Sequence, residues 1–309
     1  MKTRQECVRI LGGELVSRVE GVLSAKEINK ATIDRVLDYL ALHQLAFPYF
    51  DIDALSMNLC NNLSESINFN GVVASIKSLM FDNAYAYSNG KKVIVNTTAL
   101  KYLLPAEQFN VLLDSVIRHE LDHIATTRNI KVDKETYKKL ITRNILAKKN
   151  LFGQTINMHG DNFRDYVNKV ANKEFEVDVI VDGTKIRTNA DKLVLRRSGV
   201  RGTQGDLDVK RIMGSVSLNE GITAYKMKKL DRLAGHGGIM CQTAYILGEE
   251  IAGHIARTIG EEEFIARQIA GDFVGMAERY KEITGKSIKQ MRRVFCVNGG
   301  NKSENEALI

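Results

Sequence analysis

The stretch Val116-Ile117-Arg118-His119-Glu120-Leu121-Asp122-His123-Ile124-Ala125 constrains this chain more than any other. Around it Phe109, Leu112, Leu113, Val116, Ile117, Leu121 and Ile124 recur at helical spacing, which predicts a buried helix. Residues four apart share a helix face, so His119 and His123 present two imidazoles to one point. Glu120 lies about 100° round from His119, beside that point rather than on it. A solvated helix turn is the bland alternative, but the apolar flanks argue against it. Two histidines and a glutamate are costly to bury without a partner, and a metal ion supplies one.

The pattern is H-E-x-x-H, and the segment resembles the zincin metallopeptidases. That resemblance implies Zn²⁺ on His119 and His123, an open coordination position, and Glu120 as a general base acting on water. The metzincin continuation H-E-x-x-H-x-x-G-x-x-H requires glycine at position 126 and histidine at position 129. Thr126 and Asn129 stand there, which excludes that branch.

A catalytic zinc takes three protein ligands, so one more must come from elsewhere in the chain. The first candidate is Glu220, in Ser217-Leu218-Asn219-Glu220-Gly221-Ile222-Thr223-Ala224-Tyr225. This segment resembles the gluzincins, whose third ligand is a glutamate on a later helix, and Gly221 suits close packing on the motif helix. Ser217-x-x-Glu220 also reads as a capping box, which would make Glu220 a helix cap. The second candidate is His159, in Met158-His159-Gly160-Asp161-Asn162-Phe163, an H-G-x-x-F element similar to that of the SprT-like proteases. Some of those act on DNA-bound protein, but the clustered cysteines of their zinc ribbon are missing. The third is Glu135, within a charged stretch that reads as a solvated helix face. The gluzincin resemblance also implies a donor to the oxyanion. Tyr225 is the first choice by proximity to Glu220, with Tyr245, His236 and His254 as others. Asp122 is the local candidate to orient a ligand imidazole.

Composition narrows the class. The chain has 309 residues, 44% hydrophobic, and no apolar run reaches the roughly 18–20 residues of a membrane span. Its first residues are charged and lack a signal-peptide core, so a cytoplasmic protein with no membrane partner is expected. Cys7, Cys60, Cys241 and Cys296 are scattered, which indicates neither a thiolate zinc site nor a disulfide framework. The net charge is +7. A surplus of roughly ten positive charges falls between Thr126 and Arg232 and reads as a solvated surface in preference to a nucleic-acid site.

Along the chain, 1–80 reads as a helical region, with a capping box at Ser24–Glu27, an apolar stripe at Ile33, Val36, Leu37 and Leu40, and helix continuing to about Met80. Asp51 and Asp53 mark a loop entering a helix. Residues 81–150 carry a hairpin around Asn89-Gly90 and the motif helix, which starts near Pro105. Residues 151–213 hold a β-containing insertion with alternation around Val177–Leu195, then a glycine-rich loop expected near the cleft. Residues 214–296 form a helical subdomain with segments Ala244–Ile259 and Glu261–Thr284, and 297–309 is a flexible tail. The expected fold is α+β and zincin-like: a small β-sheet, the H-E-x-x-H helix and a helical C-terminal subdomain. The expected function is peptide-bond hydrolysis in a peptide or protein substrate. The alternatives are a SprT-like protease on nucleic-acid-associated protein, or a zincin-fold binding protein of little activity. The sequence does not give the oligomeric state.

Overall fold

The computed structural model describes residues 1–69, 86–88, 90–97, 100–101, 106–131, 177–181, 184–188, 194–199, 212–235 and 243–287. In chain order the elements are α1 (Arg4–Leu11), α2 (Gly13–Ser24), α3 (Lys30–Ala46), α4 (Ile52–Asn62), β1 (Ala86–Ser88) and β2 (Val93–Val95). They continue with α5 (Ala106–Ala125), β3 (Thr127–Lys131), β4 (Val177–Val181), β5 (Thr184–Thr188) and β6 (Val194–Ser198). The last are α6 (Ile212–Leu233), α7 (Thr243–Ile259), α8 (Glu261–Ala270) and α9 (Phe273–Thr284). The protein is mostly helical, and among the described residues the strands pair only in twos. No described helix is long and apolar enough to cross a membrane.

The N-terminal helices are bounded by local chemistry. Thr3 and Glu6 form a reciprocal capping box on α1. The box expected at Ser24–Glu27 is not one. Ser24 ends α2, Glu27 takes a left-handed φ of 60°, and Ile28 N–H returns to the Leu23 carbonyl at 3.1 Å. That closure buries Ile28 beside Leu23, so a polar pattern is overridden by an apolar contact. Asn29 is the cap of α3, accepting from Thr32 N–H at 2.9 Å.

Helix α3 is central. The predicted stripe of Ile33, Val36, Leu37 and Leu40 is buried, but every residue from Val36 to His43 is buried with it. A helical stretch enclosed on all sides, as 36–43 is, must satisfy its polar side chains internally. Asp38 and Tyr39 do so through α5. His43 does not: neither ring nitrogen has a hydrogen-bond partner, and the ring packs against Phe47 at a centroid distance of 5.0 Å.

Asp51 caps α4 by accepting from Ala54 N–H at 3.2 Å, as its place before the helix suggested. The helix expected to reach Met80 stops at Asn62. Leu63 is already extended, and Asn68 bridges to Ile94 with Asn68 N–H on the Val93 carbonyl at 2.9 Å. Burial of Leu63 and Ile67 in this extended segment outweighs helical propensity. Residues 70–80 lie outside the described set. The hairpin around Asn89-Gly90 is present as antiparallel β1–β2, with Ser88 opposite Val93, and it packs on α5.

After α5 the chain goes directly into β3, a strand that the polar sequence there did not announce. The alternation near Val177 is the antiparallel pair β4–β5, with Val181 opposite Thr184. β6 does not join that hairpin. It pairs antiparallel with β3, Thr127 opposite Ser198, so the insertion and the motif region share a ladder. Helix α6 begins at Ile212, slightly before the predicted subdomain boundary. The stretch Glu261–Thr284 is two helices: Gly271 is left-handed and Asp272 caps α9 through Gly275 N–H at 2.8 Å. The tail 297–309 lies outside the described residues. Cys7 and Cys60 are free and buried, and burial pushes each thiol up to about 11.

Burial lowers the His43 imidazole from its usual value to about 3, with the Lys226 cation adding to the effect. Between the unfolded value near 6.5 and about 3, the unfolded chain takes up a proton that the folded chain refuses. Stability from this group is therefore complete above pH 6.5 and declines as pH falls, by up to about 1.4 kcal/mol per pH unit. His43→Leu should flatten the urea-unfolding stability profile between pH 6.5 and 4, relative to wild type. A profile of unchanged slope would show that His43 is not its source.

Candidate metal centre

Helix α5 ends where its own side chains turn the chain. Thr126 Oγ1 donates to the Asp122 carbonyl at 2.8 Å and Thr127 Oγ1 to the His123 carbonyl at 2.6 Å. Asn62 Nδ2, from α4, donates to the Ile124 carbonyl at 3.0 Å. These bonds satisfy carbonyls that a helix end leaves open. They also fix the last turn, which carries His123.

Three side chains converge on one point. His119 Nε2 and His123 Nε2 are 3.1 Å apart, and Glu220 Oε2 lies 3.2 Å from the first and 3.1 Å from the second. The two rings meet edge to face, at an interplanar angle of 83°. A tetrahedral ion with bonds of roughly 2.0–2.1 Å separates its ligand atoms by about 3.3 Å. The triangle therefore fits such an ion with little adjustment, and its N,N,O donor set is one that zinc accepts. Among the described residues this is the one group of metal-ligating side chains so arranged. Both histidines are buried, whereas the Glu220 side chain is 23% exposed and Glu120 is half-buried. The two carboxylates are thus less enclosed than the two imidazoles.

The electrostatics suit a cation. Burial opposes a charge on His123, yet the Glu220 carboxylate outweighs it, with Glu120 and Asp122 adding, and the imidazole is raised to about 9. Burial likewise opposes ionised Glu220, but His123 and His119 prevail and hold its carboxyl well below the ordinary range.

Helix α6 reaches α5 through a ladder of polar contacts. Glu220 meets the histidines. Thr223 Oγ1 donates to Asp122 Oδ2 at 3.1 Å, and Lys226 Nζ donates to Asp122 Oδ1. Arg118 then donates to Asp231 Oδ1 at 3.0 Å and to Asp38 Oδ2 of α3 at 3.0 Å, while Ser115 Oγ bonds the other oxygen of Asp231. Tyr39 OH of α3 donates to Asp122 Oδ1 at 2.7 Å. Asp122, expected to orient an imidazole, has these three side-chain partners instead, and it ties three helices together. The role of orienting His123 is better matched by Asn219, whose amide lies 3.5 Å from His123 Nδ1 and donates to Ser198 Oγ at 3.3 Å. Sequence reasoning reached Asn219 only as part of the Asn-Glu pair that points to Glu220, and it did not reach Lys226. The signal available for Lys226 was a lysine within an apolar helix face.

The structure does not bring every predicted residue to the centre. Tyr225 OH donates to Glu261 at the start of α8, and its ring stacks edge-on to Phe264 at 6.0 Å. That phenol is committed away from the histidines. His254 Nε2 lies 3.0 Å from Tyr280 OH, in the α7–α9 contact. His159, Glu135, His236 and the Tyr245 side chain fall outside the described residues. Ser217 is no cap for Glu220, because α6 starts five residues earlier at Ile212 and Glu220 is in mid-helix. Ser198 and Gly199, from the glycine-rich segment, do lie beside the site. A Cβ on Gly199 would meet Asn219 Oδ1 at 2.0 Å. Gly221 packs on α7 rather than on the motif helix: a Cβ there would lie 2.2 Å from the Gly248 carbonyl oxygen.

No protein-family model, curated protein or solved structure matches the chain.

Because the obstruction at Gly221 is backbone, it yields only if α6 and α7 separate. Gly221→Ala should destabilise the protein by about 1–3 kcal/mol. At Gly21, in mid-α2 with nothing near its would-be Cβ, the same change should stabilise by about 0.5–1 kcal/mol. Denaturant midpoints of the two variants check both signs, and equal shifts would contradict the α6–α7 packing.

Proposed function

We propose that this chain is a zinc-dependent metallopeptidase of zincin type, with His119, His123 and Glu220 as metal ligands and Glu120 as general base. One observation carries the reading. Two side chains from α5 and one from α6, some hundred residues later, bring their ligand atoms within 3.2 Å of one another. The β1–β2 hairpin packed on α5, with α6 packed on it as well, supports an α+β, zincin-like arrangement. Convergence of Glu220 supports the gluzincin branch over a site completed by His159.

Zinc bound there supplies Lewis acidity toward a peptide carbonyl and lowers the pKa of a bound water toward ~7. The protein's own groups do the rest. His119, His123 and Glu220 hold the ion and leave one side open to solvent and substrate. Glu120, next in sequence to His119 and half-buried, holds the attacking water through its carboxylate. It takes a proton from that water as oxygen adds to the carbonyl carbon. It then returns the proton to the amide nitrogen as the carbon–nitrogen bond breaks. One water is consumed and two peptide fragments leave.

Metal content by mass spectrometry and hydrolysis of a broad labelled peptide library test the scheme together. Wild type should carry one zinc and cleave. Glu120→Gln should keep its zinc and lose cleavage by roughly 10²–10⁴-fold, and Glu220→Ala should lose the metal. Cleavage undiminished in Glu120→Gln overturns the mechanism. Stoichiometric zinc in Glu220→Ala overturns the ligand assignment.

A further inference from the structure

Nothing in a glutamate on a separate helix guarantees that it meets two histidines one turn apart. Hydrophobic contact between α5 and α6 does not fix their register, because apolar packing is not directional. A slip of one residue along α6 would turn Glu220 about 100° away from the histidines. Apart from the long 3.5 Å approach of the Asn219 amide to His123 Nδ1, the directional contacts that flank the centre pass through Asp122, one residue before His123. On α6 they come from Thr223 and Lys226, three and six residues after Glu220. Asp122 Oδ2 accepts from Thr223 Oγ1 at 3.1 Å, and Oδ1 accepts from Lys226 Nζ and from Tyr39 OH at 2.7 Å. Asp122 and Lys226 have fully buried side chains. Lys226 Nζ also donates to Gln268 Oε1 of α8 at 3.2 Å, so the ammonium is held from two sides.

We infer that Lys226, acting through Asp122, is the positioning residue that sets Glu220 against His119 and His123 and thereby fixes the affinity and geometry of the metal centre. The inference rests on the metal reading above. Lys226 acts through Asp122, and its effect is on where α6 places its carboxylate. A fully buried ammonium is an expensive way to join two helices, since a well-packed apolar pair often serves stability as well. What an ion pair adds is register, the best-attested use of buried charge. Thr223 reinforces the same register from the other carboxylate oxygen, and Tyr39 holds Asp122 in place from α3.

The test separates position from stability. Removing one member strands a buried charge, so Lys226→Met alone is uninformative if it unfolds. Lys226→Met combined with Asp122→Asn removes both charges, keeps similar volumes and should fold. Thermal midpoints of the metal-free proteins, zinc affinity by chelator competition, and the visible spectrum of the cobalt-substituted proteins are then compared. The expected result is a metal-free midpoint near that of wild type, zinc affinity weaker by about 10–100-fold, and an altered cobalt spectrum. Leu59→Ala, a core truncation in α4, should lower the midpoint and leave affinity and spectrum unchanged. If the double variant does not fold, Tyr39→Phe carries the test, because it removes one donor to Asp122 and nothing else. Several-fold weaker zinc binding is expected there too. A folded variant of either kind with wild-type affinity and spectrum overturns the inference and leaves the metal reading intact. Absence of zinc binding by wild type overturns the metal reading, and the inference falls with it.

Discussion

The structure depends on how α5 buries charge. Arg118 and Asp122 lie one turn apart on the same side of a helix that also buries a row of apolar side chains, and both are almost completely enclosed. Each needs partners that cannot come from α5 itself. Arg118 obtains Asp38 from α3 and Asp231 from α6, and Asp122 obtains Tyr39 from α3 and Lys226 from α6. Both charges thus draw on the same two helices. Leaving either unpaired would cost several kcal/mol, so any packing that breaks this three-helix arrangement is strongly disfavoured. Surface pairs such as Lys30–Asp34, four residues apart on an exposed helix face, exert no comparable constraint.

The histidines occupy the neighbouring stripe of α5, and their placement follows from that arrangement. With α6 held by Asp231 near its C-terminal end and by Lys226 five residues earlier, Glu220 faces the turn between His119 and His123. The polar ladder and the triangle of His119, His123 and Glu220 are therefore two parts of one interface. Charge is close to balanced within the ladder, with Arg118 between two carboxylates and Lys226 against one. Three carboxylates against two cations leave the ladder slightly negative, so it places no excess positive charge beside the triangle.

What could be read from the sequence follows from how local each signal is. The spacing of His119 and His123 and the apolar flanks are properties of one helix, and they carried over directly. So did the two hairpins, whose turn residues lie between their own strands. Glu220 was legible as a candidate because a resemblance pointed to it, not because its spacing did. Signals that depend on distant partners were misread or missed. Ser24–Glu27 matches a cap in isolation, but burial of Ile28 decides that turn. Asp122 looked available to an imidazole next door, whereas its partners come from helices some eighty residues before and a hundred after. Tyr225 is close to Glu220 in sequence, yet it points its hydroxyl at α8. Gly221 is small for the sake of α7, a helix that no pattern around Glu220 reveals.

The long separation between His123 and Glu220 looks like an objection to joining them in one centre, but the strands remove it. β3 starts two residues after α5 and pairs antiparallel with β6, so Thr127 faces Ser198 and the intervening excursion returns to its point of departure. Gly199 N–H then bonds the Thr126 carbonyl at 3.1 Å, closing the neck at the end of the motif helix. From there Ser198 is within reach of Asn219, the residue before Glu220. The cost of closing such a loop rises only logarithmically with its length, and a paired neck offsets part of it. The effective distance from His123 to Glu220 is therefore set by the short links at either side of the ladder. Spacing in sequence is a poor measure of this site because the β3–β6 ladder takes most of that spacing out of it.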